Sequence, residues 1–134
     1  MKEGNGGFTL IELVVVCLII GILGAFAVAQ YNKTTEKGRM AEAFSAITAL
    51  RSAQNRYVLK YNAYTSASSD LDQAPPTTKY YDAPTLTGTP ANYTIAFARS
   101  VPVNSNYGPY VVSYIGPEGT FSCSNASCAQ DLLP

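Results

Sequence analysis

Glu12 is the residue whose type and setting point most directly to chemistry, because it is the only charge between Phe8 and Ala29 in the run FTLIELVVVCLIIGILGAFAVA. A carboxylate in hydrocarbon is costly unless it is paired, protonated or turned toward a polar cavity, so an ionisable residue in such a span marks a functional site. No cationic partner lies in the same span. If the chain is processed between Gly7 and Phe8, the new α-amine, four residues before Glu12, could neutralise the carboxylate of its own or an adjacent subunit. The alternative reading places Glu12 at the membrane boundary. Cys123 and Cys128 enclose the short segment SNAS, where a disulfide suits an oxidising compartment; a zinc reading has no histidine or second cysteine pair to complete the shell. Cys17 reads as a small buried hydrophobe, with lipid attachment, redox chemistry and intermolecular pairing as the alternatives.

What is missing narrows the chemistry further. The chain has no histidine, so it offers no His-based triad, HExxH zinc site or imidazole acid–base pair. Asp70, Asp72 and Asp82 are scattered and Asp131 stands alone, a poor match to an oxygen-rich calcium loop; Asp70 and Asp72 read as caps or solubilising groups. No nucleophile–base pair or cofactor motif is visible, so the expectation is a non-enzyme with no cofactor and no bound metal. Nine Lys plus Arg balance nine Asp plus Glu, and the basic residues from Lys33 to Lys60 are interrupted by Glu36 and Glu42. Direct nucleic-acid binding is therefore not expected.

The elements that must position these groups differ along the 134 residues. Phe8 to Ala29 spans roughly 33 Å as a helix, close to the hydrocarbon thickness of a bilayer. Gly21 and Gly24 within it allow close packing or local loosening. After Gln30, Met40, Ala43, Phe44, Ile47, Leu50, Tyr57 and Tyr61 recur mostly three or four apart, the signature of one apolar helix face. No proline intervenes before Pro75, so one continuous helix of about 50 residues is expected, weakened locally at Gly38. From Asn62 to Pro90 the chain is rich in Pro-containing turns and reads as loop. Tyr93–Ala98 and Tyr110–Ile115 read as strands and Phe121–Cys123 as a third. The fold class expected is α+β, with the long N-terminal helix packed on a small antiparallel sheet that covers its apolar face.

The run Gly7-Phe8-Thr9-Leu10-Ile11-Glu12, followed at once by the apolar helix, closely resembles the class III signal of type IV pilins and of the related pseudopilins of type II secretion. The resemblance rests on the N-terminal third of the chain. It implies a leader over residues 1–7, a transmembrane and filament-core helix over 8–30, its amphipathic continuation over 31–61, and a C-terminal loop and β-sheet head over 62–134. It further implies cleavage after Gly7 by a membrane prepilin peptidase, methylation of the new Phe8 amine by the same enzyme, and use of Glu12 in subunit registration. The implied partners are the bilayer, an inner-membrane assembly platform, and identical or related subunits in a helical filament. The precursor would sit in the inner membrane with its head in the periplasm and move to an extracellular pilus on assembly. The Cys123–Cys128 segment resembles the cysteine-bounded region of many type IV pilins, which favours a pilus subunit; a secretion pseudopilin and a non-polymerising envelope-anchored interaction protein are the alternatives.

Overall fold

In a computed structural model of the chain, residues 7–100 and 107–134 are described. The expected leader is thus represented by Gly7, and its residues 1–6 lie outside the described residues. The chain divides into two compact units, Met1–Asn32 and Lys33–Pro134.

The first unit is a single helical run. Helix α1 (Leu10–Tyr61) begins in it and stays helical through Gly21 and Gly24, as expected of a stretch without proline. Among the described residues it is the one helix long and apolar enough to cross a membrane. Its large side chains are exposed from Phe8 to Val28. Cys17, expected to be buried, is exposed with them, because a lone helix has no second element in its unit to cover it.

In the second unit the remaining turns of α1 bury Glu36, Met40, Ala43, Ala46, Ile47, Leu50, Ala53 and Gln54, a stripe at three- and four-residue spacing along one face. Gly38 does not interrupt the helix. Tyr61, expected to continue the stripe, is 55% exposed and is the last residue of the helix. Asn62 takes a left-handed φ of 54° and its N–H donates to the Val58 carbonyl at 2.8 Å, an αL ending that a short polar residue tolerates.

The stripe packs on a four-stranded antiparallel meander, β1 (Thr85–Gly88), β2 (Tyr93–Ala98), β3 (Val111–Gly116) and β4 (Thr120–Cys123), in the order β1-β2-β3-β4. Period-2 alternation selects the inner face: Tyr93, Ile95 and Phe97 on β2 and Val112 and Tyr114 on β3 are buried in one core with Met40, Ile47 and Leu50. Phe44 meets Phe121 edge-on at 5.0 Å. Strand β1 lies inside the segment expected to be loop. Gly116 stands opposite Tyr93, where an added Cβ would fall 2.2 Å from the tyrosine Cζ, so the ring packs directly on the backbone.

The cysteine-bounded segment is not a plain turn. Asn125 caps a short helix, α2 (Ala126–Asp131), its Oδ1 accepting from the Cys128 N–H at 2.7 Å, and its Nδ2 donates to the Tyr107 carbonyl. Cys123 and Cys128 form a disulfide with Cα atoms 6.0 Å apart, which ties the end of β4 to α2. The wild-type chain is expected to show one reactive thiol, Cys17, before reduction, and Cys123→Ser to expose Cys128 as a second. The substitution should cost about 2 kcal/mol, read as a lowered midpoint of chemical unfolding beside a thiol titration.

Candidate functional site

Thr9 precedes α1 and Glu12 lies in its first turn. One carboxylate oxygen, Oε2, accepts from the Thr9 N–H at 2.8 Å and from the Thr9 hydroxyl at 2.7 Å. The Glu12 N–H returns to Thr9 Oγ1 at 3.4 Å. This is the reciprocal Thr-x-x-Glu capping box, which satisfies N–H groups that the first helical turn leaves without intrahelical acceptors. Glu12 thus has a neutral partner within its own span, Thr9, and no cation there. A carboxylate in the first turn also faces the positive end of the helix dipole. The box turns Glu12 back toward the residues before the helix, where Phe8 is 86% exposed. Gly7 is exposed as well, so both residues of the expected cleavage site are accessible. Gly21 and Gly24 face open space, with no atom within 4 Å of a Cβ built at either.

A second charged centre, not expected from sequence, lies in the other unit. Glu36 is completely buried, and Arg99, on the bridge that follows β2, is 6% exposed. Glu36 Oε1 accepts from Arg99 Nε at 2.7 Å and from the Tyr110 hydroxyl at 2.8 Å, while Oε2 accepts from Arg39 at 3.0 Å. Arg99 Nη1 donates to the carbonyls of Tyr80, at 2.7 Å, and Ser100. Burial pushes the Glu36 carboxyl up, but the hydrogen bonds from Arg99, Tyr110 and Arg39 together outweigh it and hold it below its ordinary value. Burial likewise pulls the Arg99 guanidinium down, and Glu36 more than restores it. The Tyr110 hydroxyl is driven far up, first by burial and then by its bonds to Tyr81 and Glu36, so it serves as a fixed neutral donor. The cluster ties α1 to β2 and β3 at the end of the buried stripe. Gln54 does the same at the other end, where its amide pairs with the Thr65 backbone, donating at 2.7 Å and accepting at 3.2 Å.

Glu42, Asp70, Asp72, Asp82 and Asp131 have structural partners. Glu42 accepts from the backbone N–H groups of Lys79 and Tyr80 at 2.7 and 3.2 Å. Asp131, read as standing alone, pairs with Lys33 and accepts from the Tyr107 hydroxyl; the Lys33 ammonium is the main cause of its lowered pKa. Asp70 accepts from the Thr65 hydroxyl, Asp72 from Arg56 and Asp82 from Ser100. Among the described residues no three His, Cys, Asp or Glu are grouped to hold a metal. Lys33, Arg39 and Arg56 are each paired with a carboxylate rather than set out as a basic face.

Residues 4–28 match the model of the prokaryotic N-terminal methylation motif. The type II secretion system core protein G of Escherichia coli K12 is 31% identical over 121 residues, which cover 90% of this chain and 79% of that protein. The chain belongs to the type IV pilin and type II secretion pseudopilin family. A fimbrial protein of Pseudomonas aeruginosa is 39% identical over 70 residues, 52% of this chain and 46% of its own length. The type IV major pilin protein PilA of Myxococcus xanthus is 37% identical over 71 residues, 53% of this chain and 32% of its own. No solved structure gives a significant match. In this pilin-family chain the apolar helix and the antiparallel sheet are the α+β arrangement that the N-terminal resemblance implies. Thr9 and Glu12 of the capping box both lie within the matched motif.

Proposed function

We propose that the chain is a structural subunit of a type IV pilus, cleaved after Gly7, methylated on the Phe8 amine and polymerised into a helical surface filament. The observation that carries this reading is the exposed apolar helix that starts beside GFTLIE, with Glu12 held by its own capping box. Before assembly the helix anchors the precursor in the inner membrane with the head in the periplasm. During assembly it exchanges lipid for a shared bundle of subunit helices, delivered by the membrane platform. Repeated heterologous contacts of this kind build an open helix rather than a closed ring. The chain's role is mechanical and asks for no bond-making chemistry of its own. Gly21 and Gly24 supply a place for close packing or local loosening during transfer. The Cys123–Cys128 clasp supports a pilus subunit. A second reading, a pseudopilin of type II secretion, is favoured by the similarity to core protein G along most of the chain.

The test is a Gly7→Leu chain expressed beside the wild type, with membranes and mechanically sheared material compared by immunoblot. The variant is expected to keep residues 1–7, accumulate in membranes and be absent from the sheared fraction. Sheared filaments built from the uncleaved chain would contradict the proposal.

A further inference from the structure

The last turns of α1 and the loop that follows enclose a cleft of about 430 Å³, lined by Arg56, Tyr57, Lys60 and Tyr61 of the helix and by Asp70 and Asp72 of the loop. That volume lies within the range of small-ligand pockets, about 300–1,000 Å³. Fixed contacts shape it. Arg56 grips both oxygens of Asp72, Nη2 reaching Oδ1 at 2.8 Å. Asp70 accepts at 2.8 Å from the hydroxyl of Thr65, itself held on the buried Gln54 amide. The rings of Tyr57 and Tyr61 stack 4.5 Å apart with a tilt of 35°, and the Lys60 ammonium sits 5.1 Å from the Tyr61 centroid. Lys60 forms no ion pair among the described residues.

We propose that this cleft binds a pyranose ring. Its two cations and two carboxylates cancel, which removes the attraction for a charged ligand: a phosphate would meet Asp70 and Asp72, and a metal ion would meet Arg56 and Lys60. A purely apolar ligand would strip water from four charged groups without replacing its hydrogen bonds. The carboxylates only accept and the ammonium and guanidinium only donate, so the matching ligand is neutral and carries groups that do both, as sugar hydroxyls do. The electropositive C–H face of a sugar ring complements the outer π surface of the tyrosine pair, the inner faces being turned on each other. Only the lining of this cleft carries the inference, which does not rest on the filament reading above.

The test uses the full chain in detergent, titrated with the methyl glycosides of glucose, galactose and N-acetylglucosamine. Binding is followed by saturation-transfer NMR and by tyrosine emission, which is readable because the chain has no tryptophan. Saturable millimolar binding of at least one glycoside is expected, with transfer onto its ring hydrogens. Tyr61→Ala and Lys60→Ala should each weaken it about tenfold or more, a loss of 1.4 kcal/mol, while circular dichroism and the thermal midpoint stay unchanged. Vesicles bearing the same ring on a glycolipid, run alongside, separate a surface glycan from a soluble sugar, and binding to either supports the site. Absence of saturable binding by all three glycosides and by the glycolipid vesicles, binding indifferent to both substitutions, or preferential binding of inorganic phosphate would overturn it.

Discussion

Arg99→Met is expected to destabilise the head by about 3–5 kcal/mol at neutral pH, because it leaves the charge of Glu36 buried without its main partner. The loss is larger than the net value of the ion pair itself, since the remaining donors, Tyr110 and Arg39, do not replace a guanidinium with only 6% of its residue exposed. The double variant Glu36→Leu with Arg99→Met removes both charges and should recover much of the loss. The pH dependence carries a sign that a packing defect would not. In the wild type the Glu36 carboxyl lies below its ordinary value, so its contribution is present above the unfolded-state pKa, near 4.3, and fades as pH falls through the folded one. In Arg99→Met burial acts with much less opposition and raises the carboxyl, so the variant should gain stability relative to wild type as pH falls toward that of the unfolded carboxyl. Urea unfolding of the detergent-solubilised full chain between neutral and acid pH, followed by near-ultraviolet dichroism of its tyrosines, reads both effects. A pH-independent difference between variant and wild type would count against the ion-pair account.

Glu12→Ala should leave membrane insertion intact and remove most filaments. Insertion depends on the apolar helix, which loses nothing when a carboxylate becomes a methyl group and gains hydrophobicity at that position. In the proposed assembly the variant would lack the acceptor for the Phe8 amine of its own or an adjacent subunit. A hydrogen bond to a charged group is worth about 1.5–3 kcal/mol, which lowers the association constant of each subunit by about 10- to 150-fold. The Ala variant also leaves the Thr9 N–H and hydroxyl without their carboxylate. Thr9→Val separates the two contributions, because it removes the hydroxyl from the box and keeps the charge of Glu12; a smaller loss is expected. Quantitative immunoblots of sheared and membrane fractions give the comparison, and normal filament yield with Glu12→Ala would remove the residue from the assembly mechanism.

Much of the fold was legible because two periodicities carry it. The three- and four-residue spacing from Met40 to Leu50 marks the buried helix face, and YTIAFA and YVVSYI mark the central strands. Strand β1 was hidden because TLTG is four residues between Pro84 and Pro90, so turn signals outweigh a weak edge-strand pattern. Helix α2 was hidden by its length of six residues, too short for a periodic signal, although Asn125 is an ordinary N-cap type.

The sites divide in the same physical way. Local chemistry left a trace: the Thr-x-x-Glu box is readable in GFTLIE once Thr9 is treated as a cap rather than as part of an apolar run. The Glu36–Arg99 pair left none, because a glutamate on a helix reads as solvated and its partner lies 63 residues away. Glu42 and Asp131 were opaque for the same reason, their partners being backbone amides at Lys79 and Tyr80 and the side chain of Lys33. Spacing along the chain reports what is near in sequence, whereas buried charges are paid for by groups the tertiary fold brings in.

Mass spectrometry of the N-terminal peptide from mechanically sheared surface filaments, with cell membranes processed alongside, tests the pilus reading most directly. Abundant peptides that begin at N-methylated Phe8 in the sheared fraction are the predicted result. The processed form confined to membranes, or a sheared fraction whose peptides still begin before Phe8, would contradict it.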